Sequence, residues 1–326
     1  MEQFGILETK NQFSLLNNLS INQLQTLCLR RGINTIGVVK KYDLIILFIQ
    51  WYNNIKYNSY NGIVSGFIVS ERGARKHMED SFVINSVGNI SIYGVFDGHG
   101  GGYVSKNLPE YCNSILLPKL NDGITTDKIV KSFLEIDKKY YNLWNRNMFG
   151  TDGSTASIVI QSKNMLYFVN LGDSRTVLYN DAGVYFSTRD HKPTRVDEYE
   201  RIETSRYNVV MKDVGRIGGL LAVSRSFGDF IYKIDDDDTY RPVDYAVSVV
   251  PEVDVVDISL FKNSKYKFVV CATDGLWDVF SNREVYEYIL RNKLSGNSNK
   301  TIMRDLVNLA YQRGSTDNIT VVYVEL

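Results

Sequence analysis

Carboxylate side chains recur along this chain at the ends of apolar, strand-like segments. Residues 92–96 run directly into Asp97, and residues 268–272 lead into Asp274. An Asp in such a place weakens β-propensity and loses hydration, so a cation or a hydrogen-bond donor must compensate. The carboxylates that share this setting are Glu79, Asp80, Asp97, Asp173, Asp274, Asp278 and Asp317. A lone Asp-Gly pair is more often a turn or a strand-end cap, but so many positions in one chain predict a metal site.

The types of the predicted donors indicate which metal would bind. Oxygen donors without a Cys or His cluster favour hard ions such as Mg²⁺ or Mn²⁺, in octahedral sites that keep several waters. Zinc would require nitrogen or sulfur donors. The sequence therefore favours a hydrated Mg²⁺ or Mn²⁺ site.

Nine short motifs around these carboxylates resemble, in the same order, the successive motifs of the type 2C protein serine/threonine phosphatases. They cover about residues 62–326 and read RKHMED (75–80), VFDGHGG (95–101), GSTA (153–156), NLGDSR (170–175), DHKP (190–193), LAVSRSFGD (221–229), PEV (251–253), ATDGLWDV (272–279) and DNIT (317–320). The resemblance implies an α+β fold, in which a central β-sandwich of two mostly antiparallel sheets lies between layers of helices. It also implies metal-dependent hydrolysis of phosphoserine and phosphothreonine in proteins.

In the family that these motifs resemble, the metal centre holds two Mg²⁺ or Mn²⁺ ions, and a hydroxide that bridges them attacks phosphorus. By position, Asp97 would bridge both ions. Glu79 and the carbonyl of Gly98 would bind one ion, while Asp274 and Asp317 would bind the other.

Three further carboxylates take supporting roles by the same resemblance. Asp173 matches a residue that helps to hold a weaker third ion, and Asp278 matches one that orients metal-bound water. Asp80 would lie behind the direct ligands.

Two basic residues could act on the phosphate ester itself. The planar guanidinium of Arg75 matches two phosphate oxygens and stays charged at any working pH; otherwise Arg75 is a surface residue before a strand. His99 directly follows Asp97-Gly98 and could protonate the departing Ser or Thr oxygen. A lone histidine usually has a structural role, but the Asp-Gly-His-Gly-Gly setting favours catalysis for His99.

Other candidate nucleophiles and bases receive structural roles. His191 is expected to order a loop, and Cys271 to lie in the core within an apolar strand. Ser154 and Ser174 have no base partner in the sequence, so covalent serine catalysis is not expected.

One segment departs from the pattern of the phosphatase family. The stretch after residues 200–203 lacks the usual Gly-Gly and reads TSRYNVV (204–210). It belongs to the region 203–217 that corresponds to the flap beside the active site. The departure bears on substrate preference and leaves the metal ligands unchanged.

Strand-like and helical patterns support the same fold class. Strands are predicted at 81–87, 90–96, 155–160, 165–171, 175–179, 267–272 and 319–324. A helix is predicted at about residues 129–143, and another begins after Ser281 with Glu284 completing a capping box. Hairpins grouped with separate helices predict an α+β layered fold rather than alternating βαβ units.

Residues 1–60 form a predicted helical module and linker, separate from a catalytic domain at 61–326. Ser20 and Gln23 have the spacing of a capping box, and a second helical stretch spans residues 44–51. Residues 24–37 and 40–44 loosely resemble the SAP module, which implies nucleic-acid contact through residues 20–52. The phosphate contacts would be Arg30, Arg31, Lys40 and Lys41. The alternative is a helical hairpin that packs on the catalytic domain or serves targeting.

Composition restricts the remaining possibilities. The 37 basic and 37 acidic residues cancel, so no net charge attracts nucleic acid or membrane. Three scattered cysteines, the lack of a secretory signal and the lack of a long apolar run favour a cytoplasmic or nuclear protein without a membrane span. A monomer is expected. Two alternatives to the phosphatase stay open: a catalytically silent phosphatase fold that regulates phosphoproteins, and a nucleic-acid-binding protein with a secondary phosphatase domain.

Overall fold

The structure is a computed structural model that describes residues 19–29, 41, 66–211 and 215–326. Contacts divide the chain into two units, Met1–Ser65 and Gly66–Leu326. In the first unit a helix spans Ile21–Leu29. Its predicted capping box is confirmed, because the Gln23 amide donates to Ser20 Oγ and the Ser20 amide donates to Gln23 Oε1. The second predicted helix, the linker and most of the SAP-like stretch lie outside the described residues.

Two five-stranded antiparallel sheets form the centre of the second unit. Sheet one has the order β1 (Gly66–Glu71), β15 (Ile319–Glu325), β14 (Phe268–Ala272), β8 (Arg175–Asn180), β9 (Gly183–Ser187). Sheet two has the order β13 (Glu252–Asp257), β7 (Met165–Leu171), β6 (Ala156–Ser162), β3 (Ile90–Phe96), β2 (Ser81–Val87). All pairings within them are antiparallel.

Smaller sheets lie near one end of the sandwich. β4 (Gly98–His99), β5 (Gly153–Ser154) and β12 (Phe227–Gly228) form three short paired strands. The predicted flap region contains a hairpin of β10 (Val209–Met211) and β11 (Gly215–Ile217). It follows the helix Val196–Glu203.

Helices cover the outer face of each sheet. Against sheet two pack the helices Tyr103–Tyr111, Leu117–Leu120 and Thr126–Trp144, with a π-helical turn at Cys112–Leu116. Ile129, Phe133, Ile136 and Tyr140 are buried on one face of the longest helix, as their spacing predicted. Asn282–Leu294 and Asn299–Gln312 pack against sheet one. The predicted α+β sandwich with helices on both sides is thus confirmed.

Hydroxyl groups connect the two sheets inside the sandwich. Ser157 on β6 and Thr176 on β8 are 2.8 Å apart at their oxygens, and Thr155 and Ser174 just outside the same strands are 2.7 Å apart. All four side chains are buried. A buried hydroxyl needs a hydrogen-bond partner that apolar neighbours cannot provide, and each hydroxyl here finds one on or beside the other sheet. These hydrogen bonds therefore fix the position of one sheet against the other.

No helix in the described ranges is long and apolar enough to cross a bilayer.

Candidate active site

The sandwich gathers the predicted carboxylates at one end. Strands β3, β7 and β14 finish at this end, and Asp97, Asp173 and Asp274 follow them within two residues. Strands β2 and β15 run antiparallel to these neighbours and therefore begin there, just after Glu79-Asp80 and Asp317-Asn318. The carboxylates line or border a cleft of about 880 Å³ whose lining includes Arg75, Glu79, Asp97, Gly98, His99, Asp173, Asp274, Asp278 and Asp317.

Burial and mutual repulsion perturb these carboxyl groups. The pKa of Asp97 is raised well above its ordinary value, first by burial and then by the charges of Asp274, Asp80, Asp173 and Asp317. For the same reasons, burial first, the pKa of Asp274 rises to about 8 and that of Asp80 to about 7. Holding several ionised carboxylates close together and away from water costs free energy unless a positive charge lies beside them.

Two basic side chains supply part of that positive charge. Arg75 Nη2 lies 2.5 Å from Asp317 Oδ2, and Lys192 donates to Asp173 Oδ2. The Arg75 side chain remains 58% exposed. The sequence predicted a phosphate contact for Arg75, and the structure places its guanidinium on an expected metal ligand beside the cleft.

The donor set is compatible with hydrated hard cations. Across the described residues, no group of three or more Asp, Glu, His or Cys side chains is arranged to hold a metal ion. Mg²⁺ commonly binds through one or two carboxylates and keeps several waters, so it does not require such a group. The oxygen-only chemistry and the repulsion between Asp97 and Asp274 both fit a Mg²⁺ or Mn²⁺ site.

Gly98 is required by the close packing between β4 and the segment before β2. A Cβ atom at Gly98 would lie 2.4 Å from the Glu79 carbonyl oxygen and 2.5 Å from Ser105 Oγ. Ser105 Oγ donates to that same carbonyl. The backbone of Gly98 is therefore held directly beside the backbone of Glu79.

Asn318, which the sequence did not single out, orders the segment that carries Arg75 and Glu79. Its Oδ1 accepts a 2.8 Å hydrogen bond from the Glu79 amide, and its Nδ2 donates to the carbonyls of Arg72 and His77. An Asp at this position would lack the amide donor for the two carbonyls.

Asp80 and Asp278, two of the three carboxylates for which the resemblance implies supporting roles, differ in their surroundings. Asp80 is buried, and its Oδ2 accepts a hydrogen bond from Thr273 Oγ1 at 3.0 Å. Asp278 lines the cleft, and burial followed by Asp173 and Asp317 raises its pKa despite the opposing charge of Lys192.

His99 lines the cleft and is held by Asp229. His99 Nε2 and Asp229 Oδ2 are 2.7 Å apart. Burial lowers the pKa of His99, but the charge and hydrogen bond of Asp229 outweigh it, so the net pKa is raised. Asp229 was quoted only as the last residue of a motif, and no spacing rule connects it with a histidine 130 residues earlier. Its position after the strand Phe227–Gly228 was the only available signal.

The remaining candidates have structural roles. His191 is fully buried, and its Nδ1 accepts from the Gly172 amide at 3.1 Å, which agrees with the predicted loop-ordering role. Cys271 is buried in β14, as predicted. Ser154 donates to a backbone carbonyl, and Ser174 pairs with Thr155.

Comparisons with known proteins agree with this fold. A solved phosphatase from a pathogenic strain of Toxoplasma gondii superimposes with a TM-score of 0.68 at 23% identity, covering 81% of this chain and 94% of that one, which shows a shared fold. Residues 65–319 match the model of the family described as protein phosphatase 2C. The chain therefore belongs to the protein phosphatase 2C family, whose members are metal-dependent protein serine/threonine phosphatases.

Two curated relatives illustrate the match. "Probable protein phosphatase 2C 7" of Oryza sativa subsp. japonica is 34% identical over 275 residues, covering 82% of this chain and 67% of the relative. "Protein phosphatase 1B" of Homo sapiens is 33% identical over 300 residues, covering 82% of this chain but only 59% of the relative. The similarity therefore concerns a phosphatase domain, and this chain spans just part of the length of each relative.

Proposed function

We propose that residues 66–326 hydrolyse phosphoserine and phosphothreonine in proteins, using two Mg²⁺ or Mn²⁺ ions at the carboxylate end of the sandwich. The observation that carries the proposal is the convergence of Asp97 from sheet two and Asp274 from sheet one in a single cleft. Such ions would act as Lewis acids on the phosphoryl oxygens and would lower the pKa of a water.

The ligand roles are those that the family resemblance implies for carboxylates that line this cleft. Asp97 would contact both ions, Glu79 and the Gly98 carbonyl one of them, and Asp274 and Asp317 the other. Asp173 would hold a weaker third ion, for which Lys192 would have to leave. Asp80 and Asp278 would orient ligands and water.

The chain's own basic groups would act on the substrate. Arg75 would leave Asp317 and bind two phosphate oxygens, because a guanidinium matches their geometry. His99 would donate a proton to the departing Ser or Thr oxygen, whose alkoxide is a poor leaving group. The cleft is open enough at about 880 Å³ to admit a side chain presented by a protein.

A catalytically silent phosphatase fold is the main alternative. Loss of a metal ligand is the usual route to such a protein, and every matched ligand is present in this chain. Catalysis is therefore the favoured function.

The test is a phosphatase assay on a phosphothreonine peptide and on p-nitrophenyl phosphate, after chelation and after addition of Mg²⁺ or Mn²⁺. We expect activity only with millimolar-range metal, because hydrated hard-ion sites are weak. Asp97→Asn keeps the size but removes a charge, and should lower turnover roughly 10²-fold or more. Asp305→Asn, on an exposed helix position, is the matched control. Full activity after exhaustive chelation would disprove the proposal.

Nucleic-acid binding through residues 20–52, a monomeric state and a cytoplasmic or nuclear location remain predictions from the sequence.

A further inference from the structure

Asp229 is a buried carboxylate beside the cleft that has no assigned role in the metal centre. Its relative exposure is 4%, and its Oδ2 lies 2.7 Å from His99 Nε2 and 2.5 Å from Ser226 Oγ. A buried carboxylate whose oxygen receives two hydrogen bonds is held in one orientation. The His99 imidazole is hydrogen-bonded to the same oxygen, so its orientation is fixed as well.

The backbone around the pair is built for this contact. Asp229 has φ +52°, in the left-handed region that non-glycine residues rarely adopt. Gly153 on β5 lies against the pair: a Cβ there would be 2.1 Å from Asp229 Oδ2 and 2.3 Å from His99 Nε2. Any side chain at residue 153 would therefore separate the two groups. Rare conformations of this kind persist when surrounding contacts determine them, and they gather at functional sites.

A buried ion pair anchors the loop on both sides of Asp229. Lys233 Nζ donates to Asp137 Oδ2 and to the Ser226 carbonyl, each at 2.8 Å, and both charged side chains are fully buried. Asp137 Oδ1 accepts from the Gly228 amide at 2.9 Å. Asp137 lies on the long helix Thr126–Trp144, so residues 226–233 are fixed to the helical layer.

We propose that Asp229 is a positioning residue for proton donation by His99. Its carboxylate accepts a hydrogen bond from His99 Nε2–H, and Nδ1 is thereby left as the ring nitrogen that donates to the substrate. The inference rests on the proposed phosphatase function. When the phosphorus–oxygen bond breaks, the proton on Nδ1 passes to the departing Ser or Thr oxygen. The ring keeps the hydrogen on Nε2, which stays hydrogen-bonded to Asp229, and the imidazole is left neutral.

The first test compares Asp229→Asn with wild type on two substrates in saturating Mg²⁺. An aryl oxide leaves without a proton and an alkoxide does not, so only the poor leaving group should be affected. We expect turnover of a phosphothreonine peptide to fall by about 10²-fold, the usual contribution of a positioned proton donor. Turnover of p-nitrophenyl phosphate and the Mg²⁺ requirement should change little. Asp244→Asn is the matched control, because that carboxylate pairs with Arg241 on the surface.

The second test reads the ring directly in wild type, so it does not depend on the folding of a variant. The chain has three histidines, so side-chain ¹⁵N–¹H spectra of the Mg²⁺-loaded protein can resolve His99. We expect a hydrogen on Nε2, and a changed ring signal in Asp229→Asn. Ser226→Ala, which removes one of the two hydrogen bonds to Oδ2, should give a smaller loss with the phosphopeptide alone.

Specific outcomes would overturn the inference. The inference is wrong if neutral His99 in wild type carries its hydrogen on Nδ1. It is also wrong if Asp229→Asn lowers turnover of the phosphopeptide and of p-nitrophenyl phosphate by the same factor. Absence of metal-dependent p-nitrophenyl phosphate hydrolysis in wild type would instead contradict the proposed function.

Discussion

Under the proposed function, individual residues of the cleft divide into those that would hold cations and those that would act on the ester. The carboxylates are crowded, and Asp80 and Asp173 among them are buried, whereas the Arg75 side chain is 58% exposed and that of His99 is 29% exposed. Substitutions in the two groups should therefore give different kinetic signatures.

His99→Ala should lower turnover of phosphopeptides by about 10²-fold or more, because a positioned proton donor typically contributes roughly 10²- to 10⁴-fold. Turnover of p-nitrophenyl phosphate should fall far less. The measurement is kcat for both substrates with bound metal quantified in parallel, and Asp244→Asn, at a surface carboxylate outside the cleft, is the control. Equal losses together with loss of metal would identify His99 as a metal-supporting residue.

Arg75→Ala should change substrate and metal binding in opposite directions. Loss of the phosphate contact should lower kcat/KM for a phosphopeptide about 10- to 100-fold, since a charged hydrogen bond contributes about 1.5–3 kcal/mol. Without substrate, Mn²⁺ should bind more tightly, because Arg75 no longer competes for Asp317.

Isothermal titration calorimetry of metal-free protein with Mn²⁺ measures the second effect of Arg75→Ala. Arg283→Ala is the control, because that side chain is exposed on a helix and, within the described residues, pairs with Glu287 alone. Weaker Mn²⁺ binding by Arg75→Ala would contradict the competition.

Residue type and setting made the cluster of carboxylates predictable, whereas partners distant in sequence were not predictable. An Asp directly after an apolar strand is unusual enough to be noticed locally. Asp229 and Asn318 act through groups 130 and 239 residues away, at His99 and Glu79. Only the folded arrangement of the strands reveals such pairings.

Among the elements, the helix Val196–Glu203 depends on one buried carboxylate. Glu198 is fully buried and receives hydrogen bonds from Arg225 and Ser224, and it forms an ion pair with Arg201. Burial raises the pKa of Glu198, but these partners outweigh it and lower the pKa from 4.5 to about 2. The carboxylate thus joins the helix to the segment that follows the flap.

Glu198→Gln should lower the free energy of unfolding at pH 7 by about 3 kcal/mol, since it leaves buried arginines without their counter-charge. The folded-state pKa lies below the unfolded value, so the wild-type contribution is complete above pH 4.5 and is lost as the pH falls towards 2. Urea unfolding between pH 7 and 3 measures both effects. Glu287→Gln, on an exposed helix position, is the control. If the free energy of unfolding of Glu198→Gln fell with pH as steeply as that of wild type, the acid dependence would not come from Glu198.

Elements with strong local patterns were predicted within a residue or two, and weaker ones were not. The strands Ile90–Phe96 and Met165–Leu171 have the predicted bounds, because each is largely apolar and begins directly after a turn. The edge strand Glu252–Asp257 was not predicted, since it alternates acidic residues with valine and remains partly exposed. Its strand state depends on pairing with β7, which the local sequence does not encode.

At the scale of the whole molecule, all matched motifs and all described site residues lie in the unit Gly66–Leu326. Deletion of residues 1–60 should therefore leave hydrolysis of small substrates and phosphopeptides nearly unchanged. The measurement is kcat/KM of the truncated and full chains at matched metal occupancy. A truncated protein that is folded and metal-loaded but inactive would show that the N-terminal unit contributes to catalysis.

The origin of the carboxylates in both sheets has a mechanical consequence. Asp97 comes from sheet two, and Asp274 and Asp317 come from sheet one. Any ion that these groups share would connect the two sheets at this end of the sandwich. The buried hydrogen bond between Ser157 and Thr176 already connects the same two sheets. A ligand at free concentration L that binds only the folded chain stabilises it by RT ln(1 + L/Kd), so the melting temperature keeps rising with the logarithm of the free ligand concentration above Kd. Calorimetric melting of the protein should therefore respond to the concentration of free cation with no substrate present.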